Sequence, residues 1–352
     1  MTAEMSSRTT EPLAAGRPAG EVLAWSRSLV LPALRKAVDQ LPPSVRVVAE
    51  YHHGWRDEYG NPVLENGGKA IRPALALLAA EAVGGTASAA VPAAVAVELI
   101  HNFSLLHDDV MDRDTTRRHR ATAWTVFGVN AAILAGDALQ ALAVDVLAAS
   151  GHPRALEAIR TLGDATVELL EGQALDLDFE TRSEVAVSEV ERMARAKTGA
   201  LLGASTALGA LYGDGTDEQI EAMRSYGTEL GLAFQHVDDL LGIWGDLAVT
   251  GKAAHSDLVN RKKSLPVVYA LSAGVPASGE LGELYSGSQE MDAETLARAA
   301  ALVAAAGGRA WSQAQADELH TRALVHLGEA SPSARAAVEL GTLAQLVTHR
   351  DH

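Results

Sequence analysis

Two acidic stretches hold the residues best suited to chemistry: HDDVMD at 107–112 and FQHVDDLLGIWGD at 234–246. In the first, Asp108 and Asp112 are four positions apart, so on a helix their carboxylates share a face one turn apart, with Asp109 about 100° around. That array suits a hard cation such as Mg2+, which takes oxygen ligands and keeps waters or phosphates in its other positions. A solvated acidic helix end is the plainer reading. The preceding run, VELIHNFSLL, is apolar enough to bury, however, and buried carboxylates need counter-charge. The second stretch repeats that context, closing the apolar run YGTELGLAFQHV, with Gln235 and Asp238 on one face and Asp239 next.

Two such groups facing each other with Mg2+ between them would attract a diphosphate, which gives the basic residues a purpose. Lys69 and Arg72 in GGKAIRP open a helix after glycines that leave backbone amides reachable. Arg117 and Arg118 follow the first acidic stretch, Lys197 and Thr198 sit in AKTGA, and Lys252 and Lys262 follow the second. Singly, each reads as a solvated surface charge; their distribution around both acidic stretches favours a binding role. His101 lies seven residues before Asp108 and so on its face. A lone histidine in an apolar run is more often a hydrogen-bonded structural residue than a catalyst. With no Ser-His-Asp pattern and no cysteine, covalent catalysis is not expected.

The elements that must position these groups are helices. The chain has 352 residues, 4% aromatics and a composition favouring helix throughout. Apolar residues recur at three- and four-residue spacing over 22–40, 69–83, 88–112, 129–150, 154–175, 185–211, 216–243, 263–272 and, with breaks, 293–350. No stretch shows useful strand alternation. The expectation is an all-α, single-domain bundle of roughly ten or more helices around a central apolar cavity, spanning 22–352, with 1–21 as a disordered leader. Loops at 54–68, 113–124 and 244–262 carry charge or glycine and are where a site would sit. The formal charge of −16 argues against nucleic acid as a partner. The absence of cysteine permits a reducing cytoplasm, and no uninterrupted apolar stretch reaches the ~20 residues of a membrane span. A cytoplasmic protein without stable membrane insertion is expected.

In their relative order, HDDVMD, GGKAIRP, AKTG, FQHVDD and RKKSLP resemble the trans-prenyl diphosphate synthases, over essentially 22–350. The resemblance implies an Mg2+-dependent prenyltransferase, holding three ions when substrate is bound, that joins isopentenyl diphosphate head-to-tail to an allylic diphosphate. Carried over by position, Asp108, Asp109, Asp112, Asp238 and Asp239 match the metal motifs. Lys69, Arg72, His101 and Arg118 match the isopentenyl diphosphate pocket. Arg117, Lys197, Thr198, Gln235, Lys252 and Lys262 match the allylic side, with Asp108, Asp112, Lys197, Asp238 and Lys252 nearest the chemistry. One departure stands out: Gly242 occupies the place where the family's second motif usually has its third aspartate.

The same resemblance implies a homodimer and a short-chain product. The first motif has no two-residue insertion, and Phe103 with the small Ser104 precedes it, as in enzymes making the C20 geranylgeranyl product. Spacing alone puts Ser104, not Phe103, on the Asp108 face. A farnesyl or geranyl diphosphate synthase, a class I terpene cyclase of the same fold and a non-catalytic partner subunit are the alternatives. A cyclase has no use for the second diphosphate site that Lys69, Arg72 and His101 suggest, and intact Asp108, Asp112, Lys197 and Asp238 oppose the non-catalytic reading.

Overall fold

The computed structural model describes residues 16–63, 68, 70–245, 255–287 and 290–348. Among them the chain is helical almost throughout, as its alanine- and leucine-rich composition requires. Two helices, α3 (Ile71–Ala82) and α9 (Ala200–Tyr212), are apolar nearly all round and lie buried at the centre. Glycine lets these cores close up: a Cβ on Gly209 would strike the Ala76 backbone of α3. Around them run α4 (Val91–Met111), α6 (Val129–Ala148), α7 (Ala155–Thr181) and α10 (Asp217–Trp244). Helix α10 begins at a capping box in which Thr216 and Gln219 exchange hydrogen bonds of 3.3 and 3.1 Å. Its first half joins the main core and its end, through Ile243, a second cluster with Leu258, Val267 and Leu281.

Several elements depart from the periodicity. The first helix, α1 (Ala19–Val38), starts before residue 22, and Arg17 is fastened to Glu339 by bonds of 2.8 and 2.6 Å. Ordered structure therefore begins inside the segment expected as a leader; residues 1–15 lie outside the described residues. Helix α2 (Pro43–His52) opens on a proline at its first turn, a position that tolerates the missing N–H. The expected 185–211 helix is α8 (Val187–Ala194) and α9 joined by a π-helical segment over Arg195–Gly199, which carries Lys197 and Thr198. The 113–124 loop holds a hairpin, β1 (Thr116–Arg117) against β2 (Arg120–Ala121), whose turn residues Arg118 and His119 have φ of 52° and 61°. Strands this short leave no alternation to read. After it come α5 (Ala123–Phe127) and, past α10, α11 (Ser256–Val259), α12 (Leu265–Ser272) and α13 (Pro276–Ser286). The chain closes with α14 (Ala293–Ala305), α15 (Gly308–Glu329) and α16 (Ala334–Thr348). Among the described helices, α6 has the length and composition to cross a membrane, but it carries Asp137 and Asp145 and packs along α4.

Candidate active site

The end of α4 presents the first acidic group. Asp108 is half-buried in the last turn, and Asp112, at the C-cap, is exposed. Asp109 is different: it is 1% exposed, and its Oδ1 accepts a 2.6 Å bond from Arg117 Nε. The second group divides in the same way. Asp238 is exposed at the end of α10, whereas Asp239 is 3% exposed and accepts bonds from Gln235 Nε2 at 2.7 Å and Leu265 N at 2.9 Å. Gln235 in turn accepts from Thr198 Oγ1 at 2.6 Å. Neighbouring residues on a helix lie about 100° apart, so each Asp-Asp pair offers one carboxylate outward and one inward.

Between the two groups stands Asp176 of α7, which no spacing argument singled out. Its Oδ2 lies 2.5 Å from Lys197 Nζ and 4.0 Å from Lys262 Nζ. A Cβ on Gly172, one turn earlier, would strike the Lys197 backbone, so that glycine is what brings α7 against the π segment. Burial favours a neutral Asp176, but Lys262 and Lys197 outweigh it and hold the carboxyl below its ordinary range. Burial pushes Asp108 up to about 6, with Asp112 and Asp176 acting the same way against Lys197 and Arg117. Burial works to discharge Lys262, yet Asp176, Asp257, Asp239 and Asp238 keep it protonated. These interactions tie both acidic groups, Lys197 and Lys262 into one electrostatic cluster.

A second cluster lies beside it. Arg72 and His101 approach to 3.4 Å, and Glu98, one turn before His101, carries the opposing charge. Burial lowers Arg72 to about 10 against the pull of Glu98, and burial beside Arg72 and Arg118 keeps His101 neutral. Among the described residues, Arg72 Nε and Glu98 Oε2 are buried with no hydrogen-bond partner, leaving hydrogen-bonding capacity for a ligand. Gly68 packs on the Arg118 guanidinium, so GGKAIRP and the hairpin meet here. Glu98 is the other residue the sequence reading passed over. Lys69 and Lys252 lie outside the described residues, as does Asp246. Phe103 is 2% exposed and packs edge-on to His107 at 4.8 Å, whose Nε2 meets Ile133 O of α6 at 3.0 Å. Its ring therefore faces α6, while Ser104 follows the Asp108 stripe and donates to His101 O at 2.8 Å.

Among the described residues no three His, Asp or Glu side chains close into a ready-made metal cage. The donors present nevertheless fit Mg2+, which binds through one or two carboxylates plus substrate phosphates rather than an all-protein cage. Asp108 is held uncomfortably by burial and like charge, and a divalent cation would relieve both.

The family model described as polyprenyl synthetase matches residues 53–303. A (2E,6E)-farnesyl diphosphate synthase of Mycobacterium tuberculosis is 46% identical over 332 residues, covering 94% of this chain and 92% of the relative. A geranylgeranyl diphosphate synthase of the same organism is 45% identical over 321 residues, covering 91% of each. The crystal structure of a polyprenyl synthetase from Streptomyces coelicolor A3(2) superposes with a TM-score of 0.90 at 48% identity, over 94% of this chain and 99% of the other. With that fold and this paired arrangement of acids and bases, the chain belongs to the polyprenyl synthetase family and is a trans-prenyltransferase of short-chain type.

Proposed function

We propose that the protein condenses isopentenyl diphosphate with an allylic diphosphate to give geranylgeranyl diphosphate. The observation that carries the reaction is the convergence of Asp108, Asp176, Lys197, Lys262 and Asp238 on one centre. Asp108, Asp112 and Asp238 are the residues that would hold Mg2+, which when bound supplies positive charge against the diphosphate leaving group. Lys197, Lys262 and Arg117 add fixed cationic charge where that negative charge develops. Arg72, His101 and Arg118, with Lys69, take the second diphosphate; a neutral His101 can donate there without adding another charge. Lys252 belongs to the allylic side of the same reading. The allylic cation is attacked by the isopentenyl double bond, and the proton then lost goes to the departing diphosphate. The surrounding apolar helices keep water from the cation.

The C20 length is supported by Ser104, a small side chain one turn below Asp108, with Phe103 turned towards α6. The mycobacterial relatives, similar to this chain to nearly the same degree, carry C15 and C20 names, so farnesyl diphosphate is the competing product. Labelled isopentenyl diphosphate supplied with C5, C10 and C15 starters tests both parts. A C20 product that disappears with EDTA and returns with Mg2+ is expected. A C15 end point overturns the chain length, and turnover unaffected by EDTA overturns the metal. We also propose a homodimer, supported by Leu134, Leu156 and Val167, which are 58%, 65% and 68% exposed on α6 and α7. A monomer in sedimentation would remove that part.

A further inference from the structure

The departure at Gly242 has a structural counterpart fifteen residues downstream. Residue 242 lies four positions after Asp238, so a side chain there would stand on the Asp238 face one turn on. That space is filled. A Cβ on Gly242 would come within 2.5 Å of Asp257 Cγ and 2.6 Å of its Oδ1, with Oδ2 also in contact. The glycine is thus what lets the Asp257 carboxylate lie against α10. Asp257 is held there by its surroundings: Ser256 Oγ reaches Gly242 O at 3.4 Å, and Leu258 is fully buried in the second core cluster. Lys262 N donates to Asp257 O at 2.8 Å, which closes α11 back on the basic segment. The charge of Asp257 is felt at the same centre, since it acts on both Asp239 and Lys262.

We propose that Asp257 supplies the third carboxylate of the second acidic motif, reaching from α11 into the space that Gly242 vacates. This rests on the Mg2+ reading of the site. The carboxylate belongs to the motif in space but not in sequence. Its function would be to orient the waters and cations that Asp238 holds, as outer carboxylates do around metal ligands.

The test is Mg2+ binding in the presence of inorganic pyrophosphate, followed by calorimetry, with folding stability measured alongside. Asp257→Asn keeps the shape and removes the charge, and is expected to weaken Mg2+ binding by ~10-fold with little loss of stability. Gly242→Asp alone forces two carboxylates into one space and should destabilise the protein. Combined with Asp257→Ala, however, it should restore Mg2+ affinity to within roughly 3-fold of wild type, because the charge has only changed its point of attachment. A double variant no better than Asp257→Ala alone overturns the proposal. So does wild-type affinity in Asp257→Asn while Asp238→Asn is impaired. Failure of the wild-type protein to bind Mg2+ at all overturns instead the metal reading on which the proposal stands.

Discussion

The inward-facing Asp239 makes a sharp prediction, because the sequence reading made it a metal ligand and the structure surrounds it with protein. Its two oxygens take bonds from Gln235 Nε2 and Leu265 N at 2.7 and 2.9 Å, at 3% exposure. Asp239→Ala leaves two donors without partners in a dry environment, at about 1–3 kcal/mol each. Part of that is recovered, since burial of the carboxylate, with Asp257 nearby, already pushes its pKa above the ordinary range. The expected net loss is about 2–4 kcal/mol. Asp239→Asn should cost only about 1 kcal/mol. Its amide oxygen can still accept from Leu265, and the amides of Gln235 and residue 239 can reverse because the Thr198 hydroxyl both donates and accepts. Urea denaturation gives the stability, and calorimetry with Mg2+ and pyrophosphate gives the binding. An Asp239→Ala protein of wild-type stability that has lost Mg2+ binding would refute the reasoning and return Asp239 to the ligand set.

Two other perturbations separate packing from product control. Ser104→Phe fills the Asp108 stripe and should shorten the product, whereas Phe103→Ala should act mainly on stability, by about 3 kcal/mol, because the ring is packed on His107; unchanged chain length in Ser104→Phe would put the floor elsewhere. Arg17→Ala strands Glu339, whose side chain has no exposure, and should cost about 1–3 kcal/mol in urea denaturation, limited by Arg335 at 4.0 Å; an unchanged midpoint would mean that the N-terminal segment adds nothing to the fold.

What the sequence discloses depends on whether the signal is local. Asp108 and Asp112 are legible because their relation is one helical turn, and α4 and α10 because their apolar stripes are long. Glu98 is a single acid within an apolar run, and Asp176 is one of several acids spread along α7, with nothing in its spacing to set it apart. Asp176 meets Lys197 21 positions away through the Gly172 contact, which no periodicity reports. Helices α2 and α13 begin with proline and are short, so their first residues read as breakers. The hairpin turn uses Arg118 and His119 at positive φ where Asn-Gly would be the usual signal. Asp257 escaped for a related reason: a substitution that removes a charge from a motif cannot announce that another segment has replaced it.

The paired aspartates also explain how the acidic and basic parts are kept in register. A helix cannot aim adjacent side chains at the same ligand, so the second aspartate of each pair serves another contact. Asp109 takes Arg117 Nε, which fixes the stem of that arginine, while one of its terminal nitrogens lies 3.9 Å from the Asp114 carboxylate. Asp239 accepts the Leu265 N–H at the start of α12, where a carboxylate also suits the helix dipole. That bond sets the position of the RKKSLP segment and with it Lys262. Each motif thus builds its own counter-charge: one carboxylate faces the cations and the other holds the nearest base in place. Losing the inner aspartate should therefore impair diphosphate binding indirectly, through a displaced arginine or lysine, and only in proportion to the structural damage.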